Sequence, residues 1–449
     1  MSPAPATAVS RLASIVGEGN CTGDASECAR YAVDGKTPGA VVRPGSAEEV
    51  AEVVRFAAAE KLALIPIGSG SKLGIGMPPA RYDVAVDMRR MNGVVAYDPG
   101  DLTLSVEAGI GVRDLFDALA AHGQWLPLYV PWFERATLGG VLASDSVSPL
   151  RYMFGGPRDF LLGLEFVTAD GNLCKSGARV VKSVAGYDIH KLLLGSLGTL
   201  GVLTRANFRT FPLPRAQRCF VASYADLCAA WEFCRRIAQS PLRPALVEVL
   251  DPGAAAIIGH EKLPGGQWSV VVAAIGHEAV VERHARELAQ LAQQTKAAHF
   301  EALEDADKQA LLERVREFLR IVSEQYPEAV VLRSGILPTT AVNTCEQLAA
   351  AAASHGLQCS TLIRAGAIAY SILRPAGGTG VAIGATAAQA MMEAASGVAP
   401  TVIEHCPAAL KQRVNVWGPV REDFELMKRV KRVFDPHGIL SPGRFAGGL

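Results

Sequence analysis

Net charge is absent from this chain: 44 Lys and Arg balance 44 Asp and Glu, so nothing draws it toward nucleic acid or an anionic membrane surface. No stretch approaches the ~18 uninterrupted apolar residues of a membrane-spanning helix, so no span is expected. The opening MSPAPATAVSRLASIVGEGN lacks a basic start running into a long apolar segment, which argues against a secretory signal. The nine cysteines are scattered, and the closest pairs, Cys21/Cys28 and Cys228/Cys234, lack C-x-x-C spacing. They read as reduced cytosolic thiols; iron–sulfur ligand spacing is missing and no metal site is expected. Aromatics are few, at 6 %, as suits an Ala/Val/Leu-rich chain of helices and sheets. Repeats and low-complexity tracts are also missing. At 449 residues, two domains in a cytoplasmic protein are expected.

Glycine is abundant and clustered. In IPIGSGSKLGIG (Ile65–Gly76) an apolar run meets Pro66 and then four glycines interleaved with Ser69, Ser71, Lys72, Leu73 and Ile75. Without a Cβ the backbone can turn to positive φ and approach a ligand closely. Several N–H groups can then converge on one anion, a nest for phosphate oxygens. ATLGGVLASDS (Ala136–Ser146) and GSLGTLGVL (Gly195–Leu203) follow at wide intervals. One such loop is more often a plain tight turn; three in this order point to a bound dinucleotide.

Around the loops the pattern alternates strand and helix. Ser46, with Glu49 three residues on, marks a capping box before a helical face of Val50, Val53, Val54 and Ala57. LALIPI reads as the strand that delivers the first loop, and Tyr82–Asp87 and Leu102–Gly109 read as further strands. Val112, Leu115, Phe116 and Leu119 mark a second helix. LGLEFVTADG and the long GTLGVLTRANFRTFPLP run follow, closed by Pro212 and Pro214, the best domain boundary in the chain. From 215 to 402 strands alternate with long amphipathic helices, one carrying Leu311, Leu312, Val315, Phe318, Leu319 and Val322 on a face. This predicts a separate α+β layer with an antiparallel sheet. Residues 403–449 read as a return helix and a Gly/Pro-rich tail folding back on the first domain, with 1–37 a lead-in to it.

The three loops in this order resemble the FAD-binding domain of the vanillyl-alcohol oxidase / p-cresol methylhydroxylase (PCMH-type) flavoprotein superfamily. RYMFGGPRDFLLGLEFVTADG, RVVKSVAGYDIHKLLLGSLGTLGVL and the tail VWGP…FDPHGILSPGRF bring the chain nearer to the FAD-binding subunits of bacterial glycolate oxidases. The resemblance covers residues 38–214 strongly and the tail well, and the middle only loosely; KSVAGYD is its most specific segment. It implies an α+β protein: a two-subdomain FAD-binding domain over 38–214, a cap domain over 215–402, and the return segment. It implies that Pro66, Ile67, Gly68, Ser69, Gly70 and Ser71 cradle the FAD pyrophosphate. Thr137, Gly139, Gly140 and Ser144 would line the isoalloxazine and phosphate side, and Gly201 and Val202 the adenine end. Relatives with covalent flavin often carry a histidine where Ser71 stands, so the FAD is expected to be non-covalent.

Two departures matter. Ser183 stands where the family run has asparagine. The H-x-G-D-G-N-x-H segment of the superfamily's hydroxy-acid dehydrogenases is replaced by Ile363–Tyr370, IRAGAIAY, with arginine at the first histidine position. Oxidising a 2-hydroxy acid at a flavin needs a base for the hydroxyl proton and a cation for the carboxylate. Histidine suits the first role by its pKa, arginine the second by its fork. The loss favours a flavin-binding subunit beside a homologous catalytic flavin subunit and an iron–sulfur subunit, through which it would meet any membrane. The alternatives are a stand-alone dehydrogenase of a small hydroxy acid, or a scaffold without cofactor. Arg364 is the candidate for a substrate carboxylate, or else a solvated or salt-bridged strand arginine, and His405 is the candidate spare base. Tyr187 and Asp188 either reach the flavin or form an Asx turn. Lys182 and Arg179 are expected to pair with carboxylates, and His190, in helical register beside Lys191, to lie at the surface. Arg444 either approaches the flavin or pins the tail.

Overall fold

The computed structural model describes residues 6–180, 186–377 and 382–449. Its first sheet has four strands in the order Cys21–Thr22, Ala40–Val42, Val84–Asp87, Leu64–Ile67, the last three parallel. Val84, Ala85 and Val86 are fully buried, as expected of a strand covered on both faces. The helix Ala47–Glu60 covers one face with Val50, Val53, Val54 and Ala57. Each such side chain stabilises the unit by roughly 1.5–3 kcal/mol. Ser46 Oγ accepts the Glu49 N–H at 3.2 Å, and the Glu49 carboxylate accepts from Gly45 rather than from Ser46 itself, one residue earlier than a capping box requires.

A second, antiparallel sheet runs Val94–Asp98, Thr103–Glu107, Val202–Arg209, Leu161–Val167, Leu173–Gly177. The long strand read before the prolines stops at Arg209; Phe211–Pro212 pairs separately with Gln124–Trp125. The third sheet has eight antiparallel strands in the order His299–Leu303, Ala216–Tyr224, Trp268–Gly276, Leu246–Leu250, Leu357–Arg364, Ile368–Pro375, Val330–Gly335, Thr401–His405. The architecture is therefore α+β, with an antiparallel sheet in the second half.

Three details depart from the sequence reading. Thr401–His405 is a strand of the large sheet, so the second unit runs past 402 and includes His405. The single long helix is two, Asp305–Arg316 and Phe318–Gln325, because Glu317 leaves helical geometry at φ −83°, ψ 7°. Its carboxylate instead accepts the N–H groups of Trp132 and Phe133, at 2.8 and 3.2 Å, and ties the two halves of the chain together. His190 is buried rather than exposed, because Ser176 Oγ lies 3.1 Å from its Nδ1 and also accepts its backbone N–H.

The C-terminal segment returns to the first sheet. Leu64 N–H donates to Ile439 O and Ser441 N–H to Leu64 O, both at 2.8 Å, so the tail pairs beside the strand that delivers the first glycine loop. Lys431 fixes it, donating to Thr199 O, Leu440 O and Asp435.

Candidate functional site

The first glycine loop leaves the C-terminal end of Leu64–Ile67, the position at which open sheets with parallel strands bind ligands. Gly68 lies so close to the second segment that a Cβ there would sit 1.9 Å from Thr137 Oγ1. Thr137 caps the helix Leu138–Ser144, and Gly139 N–H donates to Ala108 O at 2.6 Å. The third segment docks on the end of that helix: Gly195 N–H donates to Leu142 O and Leu197 N–H to Ala143 O, both at 2.9 Å. The tail closes the ring. Met77 N–H donates to Arg444 O, and a Cβ on Gly76 (φ 87°) would meet that oxygen at 2.7 Å.

These contacts enclose one cleft of about 780 Å³, counting the space open at its mouth. Pro66, Ile67, Gly68, Ser69, Gly70 and Ser71 line it, as do Thr137, Gly139, Gly140, Ser144 and Gly201. Val202 does not: on its strand it alternates away from Gly201 and Leu203, which line the cleft, and packs in the core with Val167. Lys72, Leu197 and Arg444 complete the wall. Among the described residues its charged side chains are Lys72 and Arg444, and no carboxylate lines it.

The cleft is built for an anion with an apolar body. The N–H groups of Ser69, Gly70 and Ser71, in a half-buried loop, donate to no acceptor among the described residues. Arg444 is 3 % exposed; its Nη2 donates to Leu73 O and Ile75 O, while Nη1 is buried with no partner among the described residues. Burial lowers its pKa, opposed by the charges of Asp34 and Tyr82. Three successive loop amides without acceptors and the cationic Arg444 suit an anion such as a diphosphate, and Ile65, Ala108, Ala143 and Leu203 supply apolar wall. Arg444 thus does both things the sequence left open: it pins the tail and reaches the cleft.

Neither catalytic candidate lies there. Arg364 is fully buried under the cap sheet: Nε donates to Glu248 and Nη2 to Val315 O, both at 2.8 Å, so its fork is spent inside the protein. Glu248 is fully buried with it; burial pushes its pKa up to about 7 despite that partner. His405 ends the last cap strand with Nε2 3.4 Å from Pro327 O, outside the cleft, its pKa lowered by burial. Tyr187 is 88 % exposed and Asp188 pairs with Lys191, so neither reaches the cleft. Arg179 is exposed, and Lys182 and Ser183 lie outside the described residues.

Lys72 is the residue that sequence reasoning passed over. Its Nζ is 3.5 Å from Pro131 O and 5.5 Å from the centre of the Trp132 ring, with no carboxylate at ion-pair distance among the described residues. Desolvation lowers its pKa to about 8 against the opposing charges of Glu317 and Glu404. Nothing in the run GSGSKLG distinguishes this lysine from a solvated one; only the approach of the second domain does.

A cleft at the parallel-strand ends, lined by three glycine segments with Lys72 and Arg444 and followed in the chain by a second, antiparallel domain, fits a flavin-nucleotide-binding oxidoreductase. The comparisons agree. A family model described as "FAD binding domain" matches residues 38–177, and one described as "FAD linked oxidases, C-terminal domain" matches 213–405 and 416–445. The chain is 26 % identical over 419 residues, 91 % of its own length and 88 % of the relative's, to glycolate oxidase subunit GlcD of Bacillus subtilis (strain 168). Over 166 residues, 37 % of this chain and 47 % of the relative, it is 39 % identical to glycolate oxidase subunit GlcE of Escherichia coli (strain K12). Its fold matches 4-ethylphenol oxidase from Gulosibacter chungangensis with a TM-score of 0.77 at 18 % identity, over 98 % of this chain and 96 % of that one. The chain belongs to the FAD-linked oxidases, an FAD binding domain followed by their C-terminal domain. It is an FAD-dependent oxidoreductase.

Proposed function

We propose that the chain is the FAD-binding subunit of a 2-hydroxy-acid dehydrogenase complex of the glycolate oxidase kind. It works beside a homologous catalytic flavin subunit and passes electrons to an iron–sulfur subunit. The observation that carries the flavin part is the run of undonated N–H groups at Ser69, Gly70 and Ser71 in a cleft lined also by Arg444 and, among the described residues, by no carboxylate. FAD, when bound, supplies a two-electron acceptor. The protein holds its diphosphate on the loop amides and Arg444, non-covalently since Ser71 occupies the position of the linking histidine. It screens the ring from water with the second and third glycine segments. The complex part is supported by likeness to glycolate oxidase subunit GlcD along nearly the whole chain and to GlcE over 37 % of it, and by the missing histidine pair. Within the segment that stands in its place, Arg364 is locked to Glu248, and the Tyr370 side chain is fully buried.

A second reading, a dehydrogenase competent alone, is favoured by the cationic Lys72 in the cleft wall. Anaerobic titration separates the two. The purified chain should be yellow and release FAD on denaturation, and glycolate or D-lactate should leave its flavin oxidised until the partner subunits are added. Bleaching by either acid with the chain alone replaces the subunit reading by the second; a colourless protein that takes up no FAD sinks both.

A further inference from the structure

The first glycine loop walls more than the flavin cleft. Its residues Ile67 to Gly70, with Leu73, also line a second cavity of about 710 Å³, counting the space open at its mouth. The rest of that wall is Glu27, Arg30, Tyr31, Arg43 and Arg89, so three arginines meet one carboxylate in a chain of zero net charge. Neither the second nor the third glycine segment lines it, nor does Arg444, so it lies outside the ring that encloses the flavin cleft. Two of the arginines are held from below. Asp87 ends the strand Val84–Asp87 opposite Ile67 and is 2 % exposed. It accepts from Arg89 Nε and Nη2, at 2.9 and 2.7 Å, and from the Tyr31 hydroxyl at 2.8 Å. Arg43 follows the strand Ala40–Val42, with Nε 3.8 Å from the same carboxylate and Nη2 on Glu27. Among the described residues the Nη1 atoms of Arg43 and Arg89 have no hydrogen-bond partner, and the Arg30 side chain has none at all.

We propose that this cavity is a second anion site, separate from the flavin cleft, which takes a phosphate dianion, free or as a phosphate monoester. Three guanidinium groups from three elements border one space, and the planar fork of arginine matches phosphate oxygens two at a time. Asp87 and Tyr31 hold Arg89 before any ligand arrives, which lowers the cost of ordering it on binding. Glu27 is the resident anion of the empty site. It stands on the short helix Ala25–Ala29 with 38 % of its side chain exposed, where it occupies Arg43 and can swing into solvent when a doubly charged ligand enters. The ligand is polar throughout, because Tyr31 is the one ring in the wall and its hydroxyl is spent on Asp87.

Inorganic phosphate and glycerol 2-phosphate are the probes, titrated by calorimetry into the full chain with its flavin bound. One phosphate should bind per chain, and the visible flavin absorbance should stay with the protein. Arg30→Met should weaken phosphate about tenfold, the loss of one charged hydrogen bond, and since that side chain holds nothing else the fold is not at stake. Glu27→Gln should act in the opposite direction and tighten phosphate about two- to fivefold, because it removes the resident anion and its half-exposed ion pair. Arg30→Lys, which keeps the charge and loses the fork, should lie between Arg30→Met and the parent. Equal affinity for the two probes identifies the free ion as ligand, and tighter binding of the ester identifies a monoester; either supports the site. No binding at millimolar concentrations of both probes overturns it, as does phosphate affinity unmoved by both Arg30→Met and Glu27→Gln. Release of flavin in step with phosphate uptake also overturns it, because the phosphate then occupies the flavin cleft instead.

Discussion

Gly68 and Thr137 meet with no space for a methyl group between them, so the first two glycine segments are held in register by the absence of one carbon atom. Gly68→Ala would put its Cβ 1.9 Å from Thr137 Oγ1 and force that side chain out of its cap on Gly140. Lost cap and overpacking together cost on the order of 1–3 kcal/mol. Flavin retention should suffer more than stability, falling at least about tenfold, because the displaced atoms form the cradle itself. Comparing the visible flavin absorbance with the thermal unfolding midpoint of the same preparation checks this. Arg444 acts at the same scale. Arg444→Met removes the buried Nη1 and frees the carbonyls of Leu73 and Ile75. FAD should then dissociate about ten- to a hundredfold more readily on dilution, as loss of a charged hydrogen bond implies. If the variant retains flavin as the parent does, Arg444 serves the tail alone.

Among the elements, the return segment depends on one buried lysine. Asp435 accepts the N–H groups of Ile439 and Leu440 and the Lys431 ammonium, and Lys431 also holds Thr199 O in the third glycine segment. Lys431→Met leaves the Asp435 charge buried without its cation, a loss of roughly 3–5 kcal/mol that should lower the unfolding midpoint clearly. Lys431→Met combined with Asp435→Asn should recover part of it; a single variant as stable as the parent would show the pair to be dispensable. The glycine loops that this segment locks were legible in the sequence because backbone geometry demanded glycine there. Other features were not. His190 looked exposed from its own helix, and only Ser176, across the chain on another strand, buries it. Arg364 read either as a substrate cation or as a solvated or salt-bridged strand arginine; the salt bridge is what forms, and its partner, Glu248, is a strand neighbour 116 residues away. Glu317 sat inside a continuous apolar helical pattern, and the break comes from Trp132 and Phe133 in another domain. Local periodicity carries no trace of partners so distant.

In the whole molecule the cleft is lined by the first domain and the tail, and Glu317 joins the second domain to the first. It is buried, accepts two backbone N–H groups from the first domain, and pairs with Arg316 and Arg320 of its own. Glu317→Ala leaves two N–H donors and an arginine pair without their acceptor, of which the Trp132 segment is the mobile partner because it is a turn rather than a strand. Amide exchange at Trp132 and Phe133 should speed up in this variant while the cores of the three sheets keep their protection. Glu317→Gln retains an acceptor and should lie between the two. The same segment supports Lys72, whose ammonium lies over the Trp132 ring. Loosening the joint should leave the diphosphate cradle intact, since the cradle is built from the glycine segments and Arg444. Loss of FAD in Glu317→Ala would mean instead that the first domain does not hold its nucleotide without the second.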